Sequence, residues 1–373
     1  MKTCERNKGG NVTLKVLTAR TTSAVWGRAR YLCPMRFRLL LLLLPVLLGA
    51  CSKTAAPVRL DFIGSTALVS GSRTATPNED LSTRAYAFSN DNALKRLTIS
   101  VAYDPGLMPI LYTLPLSSYD PSNGPGAQTI VYLDSLIAPV ATTNSAGHTS
   151  SEYLFQNEFS ARATSGTEQW QYTVTDNTGE RASRAYRLTV RKGDSAAVFH
   201  NYTTVIRPVP ASTPAASDSV RNRARVFLNL YYGLLLPKYA VLNQEHTLQQ
   251  NQQLVDLICT AQGTSVALTA PADVSFQPYL RADVWPTRRA TELRRTTLTA
   301  TNFANASTAA LLDAAFGNGL PFFNTTGAYS TGTLGKGQVL AFRTVEGKTG
   351  LLLVSDLTLG SAPSLTCSVR VQK

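Results

Sequence analysis

From Val58 onward, apolar and polar residues alternate in short runs separated by turn-forming residues. Alternation at period two places every second side chain on one face of an extended chain, so these runs predict half-buried β-strands. Leu81–Phe88 and Leu94–Tyr103 come first, and in the second Leu97, Ile99, Val101 and Tyr103 share a face. Asp104-Pro105-Gly106 ends it. Ile110–Leu116 and Thr129–Leu133 read as strands around a loop at Asp120–Gly126. Tyr153–Ala163, Gln169–Asp176 and Ala185–Val190 follow. Trp170, Tyr172 and Val174 fall on one face, as do Tyr186, Leu188 and Val190, across the turn Asp176-Asn177-Thr178-Gly179. About seven strands without a helical period predict an antiparallel sandwich over residues 58–193.

The pattern then changes. Residues 194–224 include PVPASTPAASDSV, rich in Pro, Ala and Ser with little to bury, and read as a linker. The apolar residues of Ala197–Ile206 leave open that the second domain begins there. Residues 225–373 form that domain. Arg225–Tyr232 and Gln253–Thr260 read as strands, with Val255, Leu257 and Cys259 on one face. Ser307 is placed as the N-cap of a helix over Thr308–Phe316, ended by Gly317. Gln338–Thr344, the turn Val345–Lys348, Gly350–Leu357 and Leu365–Val371 make a three-stranded meander. The expected fold class is mainly β: an antiparallel sandwich, then a mostly-β (α+β) domain with one short helix and a C-terminal meander.

Charge changes the picture little. The chain carries 36 Lys+Arg against 23 Asp+Glu, a formal charge of +13. Residues 1–50 hold nine of those basic residues and one acid, Glu5, so the remaining 323 carry 27 against 22. A surplus of five is ordinary for a soluble surface and argues against a nucleic-acid partner.

Within the basic N-terminal stretch, MRFRLLLLLLPVLLGAC (Met35–Cys51) has a positive start, an apolar core and small residues before a cysteine. Ten apolar residues at 1.5 Å each make a helix of about 15 Å, half of a ~30 Å hydrocarbon layer, so a cleaved signal fits better than a span. Leu48-Gly49-Ala50-Cys51 resembles the lipobox of bacterial lipoproteins. That resemblance implies signal peptidase and acylation machinery as partners, a lipid on Cys51, and membrane anchoring. Residues 35–50 are then the signal and 51–57 a tether; residues 1–34 are read as an over-extended gene start. Ser52 after the cysteine implies outer-membrane sorting, on a face left open; Ser52–Ala56 lacks the acidic cluster of a surface-export tag.

Two further stretches carry resemblances. Trp170–Val190 resembles the last two strands of a bacterial Ig-like domain, without its disulfide-bonded subgroup's cysteines. The tail VLAFRTVEGKTGLLLVSDLT…SLTCSVRVQK, with Trp285–Phe303 before it, resembles the C-terminal module of Bacteroidota lipoproteins. The resemblance implies a cell-envelope lipoprotein of that group and assigns no activity.

Candidate chemistry is sparse. The three histidines, His148, His200 and His246, lie about fifty residues apart with no second ligand at metal spacing. No Gly-x-Ser-x-Gly elbow or phosphate loop occurs, and Gly332–Gly337 precedes a strand instead of opening a helix. Glu152 and Glu158 share a strand face about 20 Å apart, too far for paired carboxylates. No cofactor or metal is expected. Arg288, Arg289, Arg294 and Arg295 form a basic run suited to an acidic glycan or to surface ion pairs. Tyr279 and Trp285, with Phe322, Phe323 and Tyr329, are loop aromatics on which a sugar ring could stack. Ser135, Ser195 and Ser219 each follow an Asp and precede an apolar residue, resembling the Bacteroidota O-glycosylation sequon. Cys259 and Cys367 are expected as buried free thiols in preference to a disulfide. The expected function is display of a binding or adhesion surface for glycan or an envelope protein. The alternatives are a structural envelope component and, less well supported, a carbohydrate-active hydrolase.

Overall fold

The computed structural model describes residues 57–107, 126–143, 145, 147, 149–192, 197–210, 218–242, 249–262, 265–273, 284–322 and 329–373. The expected signal peptide, Cys51 and the strand at Ile110–Leu116 lie outside them. Nine strands build the first half: β1 (Val58–Phe62), β2 (Arg73–Ala75), β3 (Asp80–Ser89), β4 (Leu94–Asp104), β5 (Gln128–Leu136), β6 (Val140–Thr143), β7 (Thr149–Ser160), β8 (Gly166–Asp176) and β9 (Arg181–Val190). They form two sheets, β1-β3-β7-β6 and β2-β9-β8-β4-β5. Pairing is antiparallel except that β2 runs parallel to β9. The strands alternate as the pattern requires: in β4 Leu97, Ile99, Val101 and Tyr103 are buried and their neighbours are not. Between the sheets, Phe159 meets Trp170 at 4.1 Å between ring centroids. Buried hydroxyls pair there too: Thr83 with Tyr186 at 2.7 Å, and the Asn157 amide donates to Tyr172 at 2.9 Å.

The second half adds β10 (Phe199–Ile206), α1 (Asp218–Arg223), β11 (Arg225–Leu228), β12 (Leu235–Pro237), α2 (Lys238–Val241), α3 (Gln249–Gln252), β13 (Leu257–Gln262), β14 (Ser265–Thr269), β15 (Glu292–Arg295), α4 (Ala300–Asn305), α5 (Ala309–Asn318), β16 (Leu320–Pro321), β17 (Val339–Arg343), β18 (Thr349–Thr358) and β19 (Ser364–Gln372). One sheet is β12-β11-β13-β14; the other is β10-β19-β18-β17-β15-β16, whose β17-β18-β19 core is the expected meander. The protein is mainly β, with several antiparallel sheets and short helices.

Four expectations need correction. The linker at 194–224 contains β10, which pairs with β19 over eight residues from Phe199↔Gln372 to Ile206↔Leu365. The strand at Arg225–Tyr232 stops at Leu228, because Asn229 and Gly233 (φ +66°) close a hairpin: Tyr232 N–H donates to the Asn229 side chain and Asn229 N–H to the Leu234 carbonyl. Gln253–Val255 completes the turn after α3, so β13 begins at Leu257. Helices number five among the described residues, not one, and the expected helix is capped by Thr308 instead of Ser307 and runs to Asn318.

The halves share one buried apolar core from Val58 to Val371. Polar contacts cross between them: Ala163 N–H donates to the Tyr232 carbonyl at 2.7 Å, and Tyr239 Oη to Asn157 Oδ1 at 2.9 Å. Residues 56–373 are one compact unit. The six-stranded sheet is buried on both faces. Leu340, Phe342, Leu352 and Val354 face the shared core, whereas Val339, Ala341 and Leu351 meet Phe303, Leu312 and Phe316 of α4 and α5. Burial on both faces explains why β18 reads as an unbroken Leu351-Leu352-Leu353-Val354.

Candidate functional site

The site is built where α4 and α5 cross the end of the six-stranded sheet. Thr299 caps α4 by accepting from Asn302 N–H at 3.3 Å, while Asn302 Oδ1 accepts from Thr299 N–H at 2.9 Å. Thr308 caps α5 by accepting from Leu311 N–H. Arginines from the sheet hold the opposite helix ends. Arg294 Nη1 donates to the Phe316 carbonyl at 3.0 Å and Arg370 Nη1 to the Ala306 carbonyl at 2.6 Å, satisfying orphan carbonyls at the negative ends of α5 and α4. The Arg294 and Arg343 guanidinium carbons lie 4.2 and 4.6 Å from the Phe316 ring centroid. Gly319 lets α5 close onto β15, since a Cβ there would sit 2.8 Å from Arg294 Cβ.

Held this way, the two helices and the 295–298 segment leave a half-open cleft of about 600 Å³. Its walls are aliphatic: Leu298, Ala306, Ala314, Ala315 and Leu351, with Leu311 and Leu320 at 48% and 60% exposure. Its polar lining is Arg295, Thr296, Thr297, Asn302, Asn305 and Asn318. Arg295 is exposed at the end of β15. Arg295 is also the one ionisable residue among the described lining residues. A guanidinium has donors and no acceptor, so this described lining offers no general base.

Of the described residues singled out as candidates in the sequence, Arg295 alone is in the cleft lining. Arg294 is half-buried as a helix cap, and Arg288 is exposed. Two ligand-contact expectations are corrected by burial. Trp285 is 3% exposed with its ring 5.7 Å from that of Phe227, so no face is free to stack on a sugar. Arg289 is 7% exposed and paired with Asp256 at 2.7 Å and Glu346 at 2.6 Å, an interior ion-pair network. Phe322 and Tyr329 pack partly buried against the core. Tyr279, Phe323, His148, His246 and Ser195 lie outside the described residues. Ser135 is half-buried and donates to the Leu136 carbonyl; Ser219 is exposed on α1. Cys259 and Cys367 are fully buried and unbonded, and burial pushes both thiols well above their ordinary range. Among the described residues, no three His, Cys, Asp or Glu side chains are grouped to hold a metal. No described helix is long and apolar enough to cross a membrane.

Asn305 and Asn318 escape sequence reasoning because an amide without a partner among the described residues has no sequence signature. Only the Thr299–Asn302 capping pair was legible in principle.

No family model matches the chain, and no curated protein matches it. Among solved structures, it is similar to a DUF4466 family protein from Parabacteroides merdae, at 11% identity over 86% of this chain and 99% of that one, with a TM-score of 0.30. It is also similar to Spo0M, a sporulation control protein from Bacillus subtilis, at 9% identity over 57% and 78% of the two chains, with a TM-score of 0.23.

Proposed function

We propose that this protein is a lipid-anchored cell-envelope protein of Bacteroidota that captures a small ligand in the cleft between α4, α5 and the end of β15. The observation that carries the binding reading is a cleft of about 600 Å³ with an aliphatic interior and no proton-transfer group among its described lining. Its volume falls in the range of about 300–1,000 Å³ usual for small-molecule sites. The same lining weighs against the hydrolase reading, which needs two carboxyl groups flanking one bond. Anchoring rests on Leu48–Cys51, whose order of charge, apolar run, small residues and cysteine suits acylation of the Cys51 thiol.

Two experiments test the two parts. Metabolic labelling with a fatty acid should mark the wild-type protein and not Cys51→Ala; equal labelling removes the anchor. Ala314 is exposed on α5 and lines the cleft, so Ala314→Trp should fill it with little cost to the helix. In a ligand screen read by native mass spectrometry, small molecules retained by the wild type should be lost from Ala314→Trp. Identical retention by both would place the binding outside this cleft, and none by either would favour a structural envelope component.

A further inference from the structure

We infer that the cleft takes an aliphatic carboxylate, a chain of about eight to twelve carbons with an anionic head, an inference that rests on the cleft being the ligand site. The walls carry the first half of the argument. Leu298, Ala306, Leu311, Ala315, Leu320 and Leu351 are all aliphatic, and no aromatic ring is among the described lining residues. This described lining gives a sugar no ring face to stack on, whereas a methylene chain meets matching surface along its length. Leu311 and Leu320 are the telling pair. Leu312 and Phe316 of α5 are buried, yet Leu311 of that helix and Leu320 of β16 stand 48% and 60% exposed. An apolar chain entering between them would remove that surface from water.

The polar lining supplies the other half. Arg295, Thr297, Asn305 and Asn318 line the cleft, and the side chains of all four make no hydrogen bond or ion pair among the described residues. Asn302 spends its Oδ1 on the Thr299 cap, which leaves its NH₂ as a donor. No Asp or Glu is in the described lining, so no carboxylate there repels an anion. A guanidinium with amide donors suits a carboxylate better than a neutral head or a cation.

The test uses the soluble protein from residue 52 onward, titrated calorimetrically below the micelle concentration with octanoate, decanoate, decanol and glucuronate. Decanoate should bind saturably, and each added methylene should tighten binding about threefold to fourfold, the increment of burying one CH₂. Arg295→Gln keeps a polar side chain of similar reach and removes the charge; it should weaken decanoate about tenfold and leave decanol unchanged. Ala314→Trp should abolish decanoate binding while the thermal transition stays within a few degrees of wild type. Equal affinity for decanoate and decanol, or no effect of Arg295→Gln, overturns the anionic head. Glucuronate binding that Ala314→Trp blocks, with no decanoate binding, overturns the aliphatic class and leaves the cleft as the ligand site. Decanoate binding that Ala314→Trp does not touch overturns both.

Discussion

Arg289 and Asp256 form an ion pair at 2.7 Å in the interior of the second half, with side chains 7% and 1% exposed. Burial penalises both charges, so the pair persists through its hydrogen bonds. Leu230 N–H donates to the other Asp256 oxygen at 2.8 Å, and Arg289 Nη1 donates to the Gln253 carbonyl at 3.1 Å. Arg289→Met would leave the Asp256 carboxylate buried against an apolar side chain. It should cost about 3–5 kcal/mol, read from urea midpoints. A loss below about 1 kcal/mol, the worth of an exposed pair, would show that water reaches the site.

The third partner gives a pH signature. Burial alone would raise the Glu346 carboxyl, but Arg289 holds it net below the ordinary 4.5. A carboxyl lowered in the folded state adds stability above its unfolded value, and that stability fades as pH falls through the folded one. Glu346→Gln should therefore be less stable than wild type above 4.5, and the difference should close as the pH drops further. A gap that stays constant through the acid range would mean that Glu346 contributes by packing and not by charge.

His200 should dominate a different window. Burial first, then Lys192 and Lys373, lowers its pKa from 6.5 to about 4. The fold thus holds the neutral ring, edge-on to Tyr231 at 4.7 Å. Between those two values the unfolded chain binds the proton that the folded one refuses, so stability falls as pH drops from 6.5 toward 4. His200→Phe keeps a ring and cannot titrate. Its midpoint should be flatter than that of wild type across this interval, and parallel profiles would assign the decline to other groups.

What could be read from the sequence follows a physical division. Strands buried on one or both faces write their surroundings into the residue pattern, so β4, β8 and the β17–β19 meander are legible in the sequence close to their observed limits. Exposure in loops is decided by distant residues. Trp285 looked available until Phe227 and the core covered it, and Arg294 and Arg295, identical neighbours, have different fates because one meets the end of α5. The α4 cap was overlooked because Thr299 is answered by Asn302 instead of the usual Glu or Gln. The cleft joins residues 295–320 with Leu351, a juxtaposition that no local pattern records.

β10 makes the two halves harder to separate than composition suggested. Tyr202, Thr204 and Ile206 are only 6%, 1% and 0% exposed, and Tyr202 Oη donates to the Leu230 carbonyl at 2.6 Å. A fragment of residues 225–373 would strip this strand from β19 and leave an open apolar edge. It should be insoluble or lack a cooperative transition, while residues 57–373 should unfold in one step by fluorescence and circular dichroism alike. A soluble, cooperatively folding 225–373 fragment would restore an independent second domain.

Gly350 offers the sharpest steric test. It lies in the middle of the meander, opposite Phe342 on β17 and Val371 on β19. Its backbone is ordinary extended strand, so glycine is not there for a special φ. The reason is the Phe342 ring, which folds across the strand: a Cβ at Gly350 would sit 2.7 Å from Phe342 Cε2 and closer still to its Cζ and to the Arg370 carbonyl oxygen. Phe342 is fully buried and has nowhere to swing. Gly350→Ala should accordingly cost about 1–3 kcal/mol, the range for overpacking, despite the better strand propensity of alanine. Phe342→Leu removes the ring and opens space beside the new methyl group. In a double-mutant cycle, Gly350→Ala should then cost less in the Phe342→Leu background, with a coupling of about 0.5 kcal/mol or more. Additive costs would trace the constraint to the Arg370 carbonyl alone, and a neutral Gly350→Ala would mean that β18 and its neighbours pack less closely here.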